Sequence, residues 1–497
     1  MSVPPTLVWF RLDLRLGDNP AVAAAVARGG PVVPVFVWAP EEEAPWEPGA
    51  ASRWWLHHSL EALDAALRRR GSRLVIRRGP TEAGLGRLVE ETGARAVTVA
   101  ERVEPAVAAR DGRVSAALRR RGVEVERTAG NLLFAPDAIR TRSGGPFRVF
   151  TPFWKACQAA PAPSEAPEAP RRLRAPESWP DSLRVRDLGL LPAADRAAGL
   201  RADWTPGEGG AAALLGRCVS EIVCAYADRR DRPDLEGTSR LSPHLHFGEV
   251  GPRQVWTAVE AHAALGGDRG ARAAAAAFLR QLGWREFAHH LLAHFPHTAE
   301  RPLREVYESF PWARDRGALA AWVRGRTGYP AVDAAMRELW TRGWMHNRAR
   351  MIAASFLVKD LLLTWLEGAR WFWDTLVDAD LANNTLGWQW AAGCGADAAP
   401  YFRIFNPVLQ GARFDPRAAY VHRWVPEVAR VPAEWAHRPW EAPGPVLESA
   451  GVRLGKTYPR PVVDHAAARE RALAALASLE RGSAPRGRRA AGRPRER

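Results

Sequence analysis

The sequence predicts a two-part protein, with an α/β domain that contains a parallel, Rossmann-like sheet followed by a larger all-α domain. Three features of the 497-residue chain indicate this organisation. Short apolar runs alternate with helical patterns through about residue 128, which is typical of a parallel α/β sheet. A stretch rich in Pro, Ala and charged residues follows at 157–205, and helical periodicity then covers most of the remaining chain. The chain is long enough for more than one domain.

The strands of the first domain are predicted by five apolar runs, TLVWF, PVVPVFVW, RLVIRRG, AVTVA and VEVERT. Between them, amphipathic patterns predict helices at 52–70, 81–92 and 106–121. An earlier helix begins after Asp18 or Asn19, either of which can cap it, because a short side-chain oxygen accepts from free N–H groups. No GxGxxG motif follows the first strand, so the sequence does not support a dinucleotide site in this domain.

Four segments are therefore expected along the chain. An α/β domain covers residues 1–135, a connector 136–205, a helical domain 206–475 and a basic tail 476–497. The connector is expected to be extended over the surface, since Pro-rich segments do not form a packed core. The tail 476–497 is predicted to be disordered, and residues 481–497 within it contain seven Arg and one Glu.

The composition limits the location and the partners of the chain. The sequence contains no run of eighteen apolar residues and no secretory pattern at its start, so we expect neither a membrane span nor secretion. Four scattered cysteines lack metal-ligand spacing and fit a reducing cytoplasm. The formal net charge of +15 favours polyanions such as nucleic acid, although a general preference for Arg would give the same charge.

The stretch 343–400 places polar side chains within an apolar, Trp-rich segment. Apolar residues recur at helical spacing from Met351 to Trp365, which predicts one buried helix that separates these two residues by roughly 21 Å. Helical spacing puts Asn347, Arg350 and Met351 on one face, and a predicted turn then carries Asp378, Asp380 and Asn384. Buried polar groups need partners, so a large polar ligand is one interpretation of this pattern.

The acidic turn is also compatible with two simpler structures. The first is a capped turn without any ligand. The second is a divalent-metal site, because carboxylates suit Mg²⁺. We expect no metal, since no second acidic cluster completes such a site and Arg350 would compete for Asp378.

The turn EGTSRLSP precedes a predicted helix with Pro243 in its first turn. Thr238, Ser239 and Ser242 supply hydroxyls beside the free N–H groups of that helix start, an arrangement that suits a pyrophosphate. Taken alone, TSxLS is more often a simple N-cap.

These strings together resemble the DNA photolyase and cryptochrome family, and within it the class I photolyases for cyclobutane pyrimidine dimers. The resemblance extends from Val8 to about His465, and its runs are FRLDLRLGDNP, WMHNRxRM, FLVKDLL, DADLANNxLGWQW, DAAPYFRIFNP and PRPVVDH. It implies an N-terminal antenna-binding domain and a helical FAD-binding domain. It also implies light-driven repair, in which photoexcited reduced FAD donates an electron to a dimer flipped out of UV-damaged DNA.

The resemblance implies a large set of residues around FAD. In this set Asp378 pairs with Arg350, Asp380 contacts the flavin ring or the ribose, and Asn384 faces the reactive nitrogen of the flavin. The implied cofactor contacts are Tyr226, Thr238, Ser239, Arg240, Leu241, Ser242, Phe278, Arg285, Trp344, Asn347, Arg350, Asp378, Asp380 and Asn384.

A second implied set carries catalysis and DNA binding. Trp388, Trp365 and Trp312 match the three-tryptophan relay of the family, and Asn384 and Gln281 complete the catalytic set. The implied DNA contacts are Arg230, Trp284, Asn347, Arg348, Met351, Trp390 and Arg403.

The resemblance also implies a second, light-harvesting chromophore, either a deazaflavin or methenyltetrahydrofolate. Arg53, Glu104 and Arg110 are its predicted contacts, although each fits an ordinary surface charge as well. His246 stands where some deazaflavin-binding relatives carry Lys.

Three further functions stay open within the same resemblance. A cryptochrome-type photoreceptor would share the flavin site, and Gln281 favours it because many repair enzymes carry Glu at that position. A photolyase for (6-4) photoproducts is disfavoured by Asn347 and Met351, where such relatives use His. A flavoprotein with light-independent redox chemistry is the most distant alternative. We expect a monomer.

Overall fold

A computed structural model describes residues 3–161, 167–192, 197–266, 269–398 and 402–483. Within these residues the first half contains a five-stranded parallel sheet in the order β3-β2-β1-β4-β5. This confirms the predicted Rossmann-like α/β domain. The strands are β1 (Thr6–Phe10), β2 (Val32–Trp38), β3 (Val75–Arg78), β4 (Ala96–Ala100) and β5 (Glu124–Thr128).

Both faces of the sheet are covered by helices, which explains why its central strands are apolar at nearly every position. Side chains alternate between the two faces, so Val8 and Phe10 pack with one group of helices, and Leu7 and Trp9 pack with the other. Asn19 caps the first helix through its side-chain oxygen, so of the two predicted caps, Asp18 and Asn19, it is Asn19 that acts. The helices are α1 (Pro20–Ala27), α2 (Ala50–Arg68), α3 (Thr81–Thr92) and α4 (Pro105–Arg120).

The larger second half is helical, which confirms the predicted all-α domain. Its helices are α5 (Phe150–Ala159), α6 (Ala198–Asp203), α7 (Glu208–Arg217), α8 (Tyr226–Arg229), α9 (Ser242–His246), α10 (Pro252–Gly266), α11 (Arg269–His294), α12 (Arg316–Val323), α13 (Pro330–Arg342), α14 (Asn347–Ser355), α15 (Trp365–Thr375), α16 (Leu381–Ala392), α17 (Pro407–Phe414), α18 (Ala419–Trp424), α19 (Ala433–Ala436), α20 (Gly444–Ala450) and α21 (His465–Ser483).

The predicted connector is not extended throughout. Helix α5 lies within it, and Phe150 and Phe153 pack against Phe287 of α11. The aromatic residues of α5 form an apolar face, which the surrounding Pro-rich sequence lacks. Helix α5 is therefore packed into the hydrophobic core beside α11.

The helix expected to run from Met351 to Trp365 is interrupted. Helix α14 ends at Ser355, a π-helical turn covers Phe356–Asp360, and α15 starts again at Trp365. Leu362 adopts a positive φ of 55°, which a continuing helix does not allow. The straight helical distance between Met351 and Trp365 that the sequence suggests is therefore wrong.

One helical segment, Glu208–Arg229, is long and apolar enough to cross a membrane by length and composition. A buried core helix passes the same test, so this is weak evidence for a span. Here the segment contains a π-helical turn at Cys218–Ile222, and Cys218 and Ile222 pack in a core with Val255 and Phe278.

The two halves meet at the carboxyl ends of the strands. Arg15, in the loop after β1, donates to the carbonyl oxygen of Gly248 at 3.0 Å. Asp18 of the same loop pairs with Arg253 of α10 at 2.6 Å. Buried charges need partners, and these contacts give Arg15 a hydrogen-bond acceptor and Asp18 a cation across the junction between the halves.

Candidate functional site

The centre of the site is an ion pair between α14 and the turn before α16. The Arg350 guanidinium lies 2.8 and 3.1 Å from the two carboxylate oxygens of Asp378, as the sequence predicts. The Nε of Arg350 also donates to the carbonyl oxygen of Met345 at 2.8 Å, which fixes the direction of the side chain. An Arg–carboxylate pair that engages both oxygens holds its geometry tightly.

Asp380 lies two residues further along and caps helix α16. Its Oδ1 accepts from the backbone N–H and the side-chain amide of Asn383, at 2.8 and 2.7 Å. The backbone N–H of Asn384 donates to the Asp380 carbonyl oxygen at 2.8 Å. The side-chain amide of Asn384 donates to the Ala369 carbonyl oxygen at 3.0 Å. The cap therefore sets the orientation of the turn that carries Asn384.

The segment Thr238–Ser242 approaches Trp344 through Arg240. Arg240 adopts a positive φ of 54°, and its guanidinium lies 4.1 Å from the Trp204 ring and 5.4 Å from the Trp344 ring. Its Nε and Nη2 are buried and have no hydrogen-bond partner among the described residues. Burial lowers the pKa of Arg240 to about 10.

A buried, incompletely paired guanidinium is costly unless an anion completes it. Ser239 is half-buried beside Arg240, as is Thr238, and Ser242 is exposed. Leu241 is buried, and its N–H donates to the Ser239 hydroxyl at 3.4 Å. This segment is chemically suited to a diphosphate.

Helix α11 carries four of the predicted residues. Phe278 contacts the Tyr226 ring edge-to-face at 5.1 Å. The side-chain amide N–H of Gln281 donates to the Ala277 carbonyl oxygen at 3.3 Å. Trp284 stacks on Phe150 of α5, with ring centroids 3.7 Å apart.

Arg285 lies beside the backbone of two other segments, and its predicted contact with the flavin stays a prediction. Its guanidinium donates to the backbone oxygen of Asn131 at 2.5 Å and of Leu245 at 3.4 Å. It thus lines the cavity between the two halves of the molecule.

The predicted DNA-facing residues occupy accessible positions. Asn347 is exposed on α14, and its amide lies 3.7 Å from the Met351 sulfur. Arg348 forms an ion pair with Asp231 at 2.9 Å, and this carboxylate partly neutralises the Arg348 guanidinium. The others lie at the surface or half-buried: Arg230, Trp390 and Arg403.

The predicted relay begins at a buried tryptophan. Trp388 of α16 is 2% exposed and lies against Gly368 of α15, where an added Cβ would overlap its ring. Its ring neighbours are Phe372 at 4.9 Å and Trp322 at 6.1 Å.

The backbone brings the other two relay residues near one another. Ala313, next to Trp312, donates its N–H to the Leu362 oxygen at 2.8 Å, shortly before Trp365. Among the described residues no direct ring contact joins Trp365 to Trp388 or to Trp312. Their use as an electron path stays a prediction.

A cavity lies between the two halves, and Asp380 is among the residues that line it. Of the predicted antenna contacts, Glu104 lines it, while Arg53 instead donates to the Pro48 oxygen. Arg110 pairs with Asp111 at 2.9 Å behind this region. Burial raises the pKa of Glu104, but Arg102 outweighs it and the pKa falls to about 2, so the carboxylate is charged.

Sequence reasoning missed His289, which also lines this cavity. Its Nε2 lies 3.2 Å from the Oδ2 atom of Asp380. His246, which the sequence analysis names, lies 3.7 Å from the same Oδ2 atom. His289 falls four residues after Arg285 on α11, so a helical projection of the predicted contacts would have found it.

Among the described residues one group, His57, His58 and Glu61 on α2, has ligand atoms within 4.8 Å of one another. The carboxylate lies 3.3 and 3.4 Å from the two rings, which ordinary histidine–carboxylate contacts explain. The acidic turn is not such a group, because Arg350 and His289 are the partners of its carboxylates.

The sequence matches two family descriptions. Residues 6–171 match "DNA photolyase", and residues 278–478 match "FAD binding domain of DNA photolyase". A deoxyribodipyrimidine photo-lyase of Agrobacterium fabrum is 47% identical over 97% of this chain and 99% of its own length. Cryptochrome-1 of Arabidopsis thaliana is 40% identical over 96% of this chain and 71% of its own length.

The fold has a matching solved structure. The crystal structure of a bacterial class III photolyase from Agrobacterium tumefaciens has a TM-score of 0.93 and 46% identity, and the alignment covers 97% of this chain and 98% of that chain. The description of that protein as class III does not support the class I assignment expected from the sequence.

Proposed function

The chain belongs to the DNA photolyase and cryptochrome family and has its FAD-binding domain, and on this premise we propose that it repairs cyclobutane pyrimidine dimers in UV-damaged DNA. When bound, reduced FAD supplies the electron that light transfers to the dimer. The residues of this chain bind FAD, hold the lesion and exclude water.

Helix α14 is the observation that carries this proposal. It holds Arg350 in the ion pair with Asp378, and on the same face, one turn earlier, it presents the exposed Asn347 beside Met351. A single rigid element therefore joins the proposed flavin site to the proposed dimer contacts. This arrangement keeps donor and acceptor at a fixed separation, which positioned chemistry requires.

The residues present fit FAD in two places. Arg240, with its unpartnered buried nitrogens, and the neighbouring hydroxyls would hold the diphosphate. The Arg350–Asp378 pair and Asn384 would hold the ring system, where a neutral amide can hydrogen-bond both neutral and anionic flavin. Trp388 would start the path that returns electrons to oxidised flavin.

The lesion would enter as a flipped-out dimer, which costs less unstacking for a damaged base pair. Trp284 and Trp390 would flank it, and Gln281 would hydrogen-bond it. Arg230, Arg348 and Arg403 would contact phosphates, which position DNA and do not read its sequence. For Arg348, a phosphate would replace Asp231 as the partner.

Substrate and class are the finer parts of the proposal. Asn347 and Met351 stand where (6-4) photolyases use His, which favours cyclobutane dimers. The 46% identity to a protein described as a class III photolyase favours class III over class I. A second chromophore, deazaflavin or methenyltetrahydrofolate, remains a prediction that extraction and absorption spectroscopy of the purified protein would check.

The second candidate function is a cryptochrome-type photoreceptor. Gln281 favours it, because the amide lacks the charge of Glu, and Cryptochrome-1 of Arabidopsis thaliana is 40% identical. This function requires photoreduction of bound FAD but no loss of dimer.

The decisive experiment is a blue-light repair assay on an oligonucleotide with one thymine cyclobutane dimer, using pre-reduced protein and a dark control. Light-dependent loss of the dimer is expected, and a parallel (6-4) substrate should stay unchanged. No loss of dimer with FAD bound and photoreducible would overturn repair and favour the photoreceptor. Repair of the (6-4) substrate instead would overturn the substrate assignment.

A pair of tryptophan variants sharpens this assay. Trp284→Ala should weaken binding of the dimer-containing DNA while FAD stays bound. Trp256→Ala is the matched control, since Trp256 packs on the same helix α5 through Trp154 but has no proposed DNA role. Equal loss of DNA binding in both variants would show that packing, not dimer contact, explains the effect.

A further inference from the structure

His289 faces two hydrogen-bond acceptors at once. Its Nδ1 lies 3.0 Å from the carbonyl oxygen of Arg285, and its Nε2 lies 3.2 Å from a carboxylate oxygen of Asp380. A carbonyl oxygen accepts and cannot donate, so Nδ1 must carry a proton. An ionised carboxylate carries no proton to donate, so a proton on Nε2 gives this close contact its favourable form. The two contacts therefore fit an imidazolium at His289 beside an ionised Asp380.

The remaining contacts of Asp380 indicate that it is ionised. The Oδ1 atom of its carboxylate accepts two N–H groups from Asn383, and hydrogen bonds of this kind favour the charged form. Burial raises the pKa of Asp380, but His289 and His246 lower it by more. The pKa of Asp380 therefore lies well below the usual range of an aspartate. Burial lowers the pKa of His289, but the Asp380 carboxylate raises it by more, so the pKa of His289 lies above its ordinary value.

Charged groups also face this pair from each element around it. Arg285 and Glu286 lie on α11 and are 3.5 Å apart, and Arg102 and Glu104 lie before α4 and are 2.7 Å apart. Among these groups Arg285 lowers the pKa of His289, and Asp380 outweighs it. His246 of α9 is the second titratable neighbour, but it lies 3.7 Å away, beyond a hydrogen bond. The cavity is also lined by Arg11, Asp13 and Glu101.

We propose that His289 is a positioning residue that, when protonated, cancels the charge of Asp380 and thereby makes reduction of the bound flavin easier and pH-dependent. The proposal rests on the FAD site of the proposed function. Reduction adds two electrons from the reductant and one proton from solvent to neutral FAD, so the reduced, anionic flavin gains one negative charge. Asp380 caps the helix that carries Asn384, so an uncompensated charge there disfavours that product.

The proposal is tested by measuring the midpoint potential of bound FAD with redox dyes. His289→Gln keeps a hydrogen-bond donor for Asp380 but removes the charge, and we expect its potential to shift to a more negative value. The shift should be largest at low pH and should shrink at high pH, where wild-type His289 loses its proton. An unchanged potential with stoichiometric FAD would overturn the proposal.

Two further variants separate charge from structure. Asp380→Asn keeps an N-cap acceptor, so in that background His289→Gln should shift the potential little. His290→Gln is the matched control, because His290 is the adjacent buried histidine and contacts Pro136 and Phe147, away from Asp380. Equal shifts with and without the Asp380 carboxylate, or an equal shift for His290→Gln, would also overturn the proposal.

A measurement on the unmodified holoprotein covers the case in which His289→Gln loses its flavin. Between about pH 5 and pH 9, the wild-type potential should bend where His289 titrates, and the potential of Asp380→Asn should lack that bend. Matching pH profiles would overturn the inference. Failure of the wild-type protein to bind FAD would instead overturn the proposed function, so the two failures are distinguishable.

Discussion

Two carboxylates that lie two residues apart are neutralised in different ways. Asp378 faces Arg350, whose guanidinium stays protonated at every physiological pH. Asp380 faces His289, whose charge is lost within the range that proteins experience. One side of the proposed flavin site therefore has a fixed electrostatic balance, and the other side has one that varies with pH.

This difference teaches that the role of an acidic residue depends on its partner as much as on its own position. Both residues belong to the single string DADLANN, where nothing local distinguishes them. In the structure Asp378 closes an ion pair through both oxygens, while Asp380 divides its oxygens between a helix cap and a histidine. Variants that disturb one partner at a time separate these two roles.

The largest effect is expected for Arg350→Leu. The Asp378 side chain is 4% exposed, and loss of its cation would leave a buried charge unpaired. We expect a decrease of roughly 3 kcal/mol in the free energy of unfolding, together with loss of bound FAD. Urea denaturation and flavin absorbance would measure this. Arg350→Lys should lose less, and stability close to wild type for Arg350→Leu would contradict the assignment.

Gly368→Ala disturbs the same helices through packing and leaves both charge pairs in place. Because a Cβ at Gly368 would overlap the buried Trp388 ring, we expect a loss of about 1–3 kcal/mol and slower photoreduction of oxidised flavin. Gly387→Ala on α16 is the control, since its Cβ would meet nothing within 4 Å. The pH dependence of the stability of Gly368→Ala should equal that of wild type. A changed pH dependence would mean that packing at Gly368 also alters the two charge pairs.

Asp380→Ala and Asp380→Asn separate the cap from the charge. The Ala variant loses the acceptor for Asn383 and should cost about 1 kcal/mol, whereas the Asn variant keeps it and should cost less. Thermal unfolding at neutral pH would compare them. Equal destabilisation would show that the charge of Asp380, and not its cap, decides stability.

The smallest expected effect is the pH dependence of stability in His289→Gln. Because folding raises the pKa of His289, its contribution is complete below the unfolded pKa of about 6.5 and is lost as pH rises through the folded pKa. The stability difference between wild type and variant should thus be larger near pH 6 than near pH 9. Denaturation at both pH values measures it, and a larger difference at the higher pH would reverse the assigned charge.

The relay residues illustrate how far the sequence carries the site. The resemblance selects Trp312, Trp365 and Trp388, but the chain has 22 tryptophans, and periodicity cannot say which rings approach one another. The structure places Trp322 and Phe372 around Trp388, and it connects the Trp312 and Trp365 segments by a backbone hydrogen bond. These contacts join segments that are distant in sequence, so no local pattern reports them.

The sequence by itself determined the two-part fold, the succession of strands and helices in the first half, and the strings that identify the family. These follow from local patterns, because a side-chain period of two or 3.6 residues records which face of each element is buried. Only the tertiary structure decided the break after α14, the placing of Arg285 at the junction between the halves and the pairing of Asp380 with His289. Those features depend on which groups the fold brings within a few ångströms, where burial makes each unpaired charge costly and therefore selects its partner.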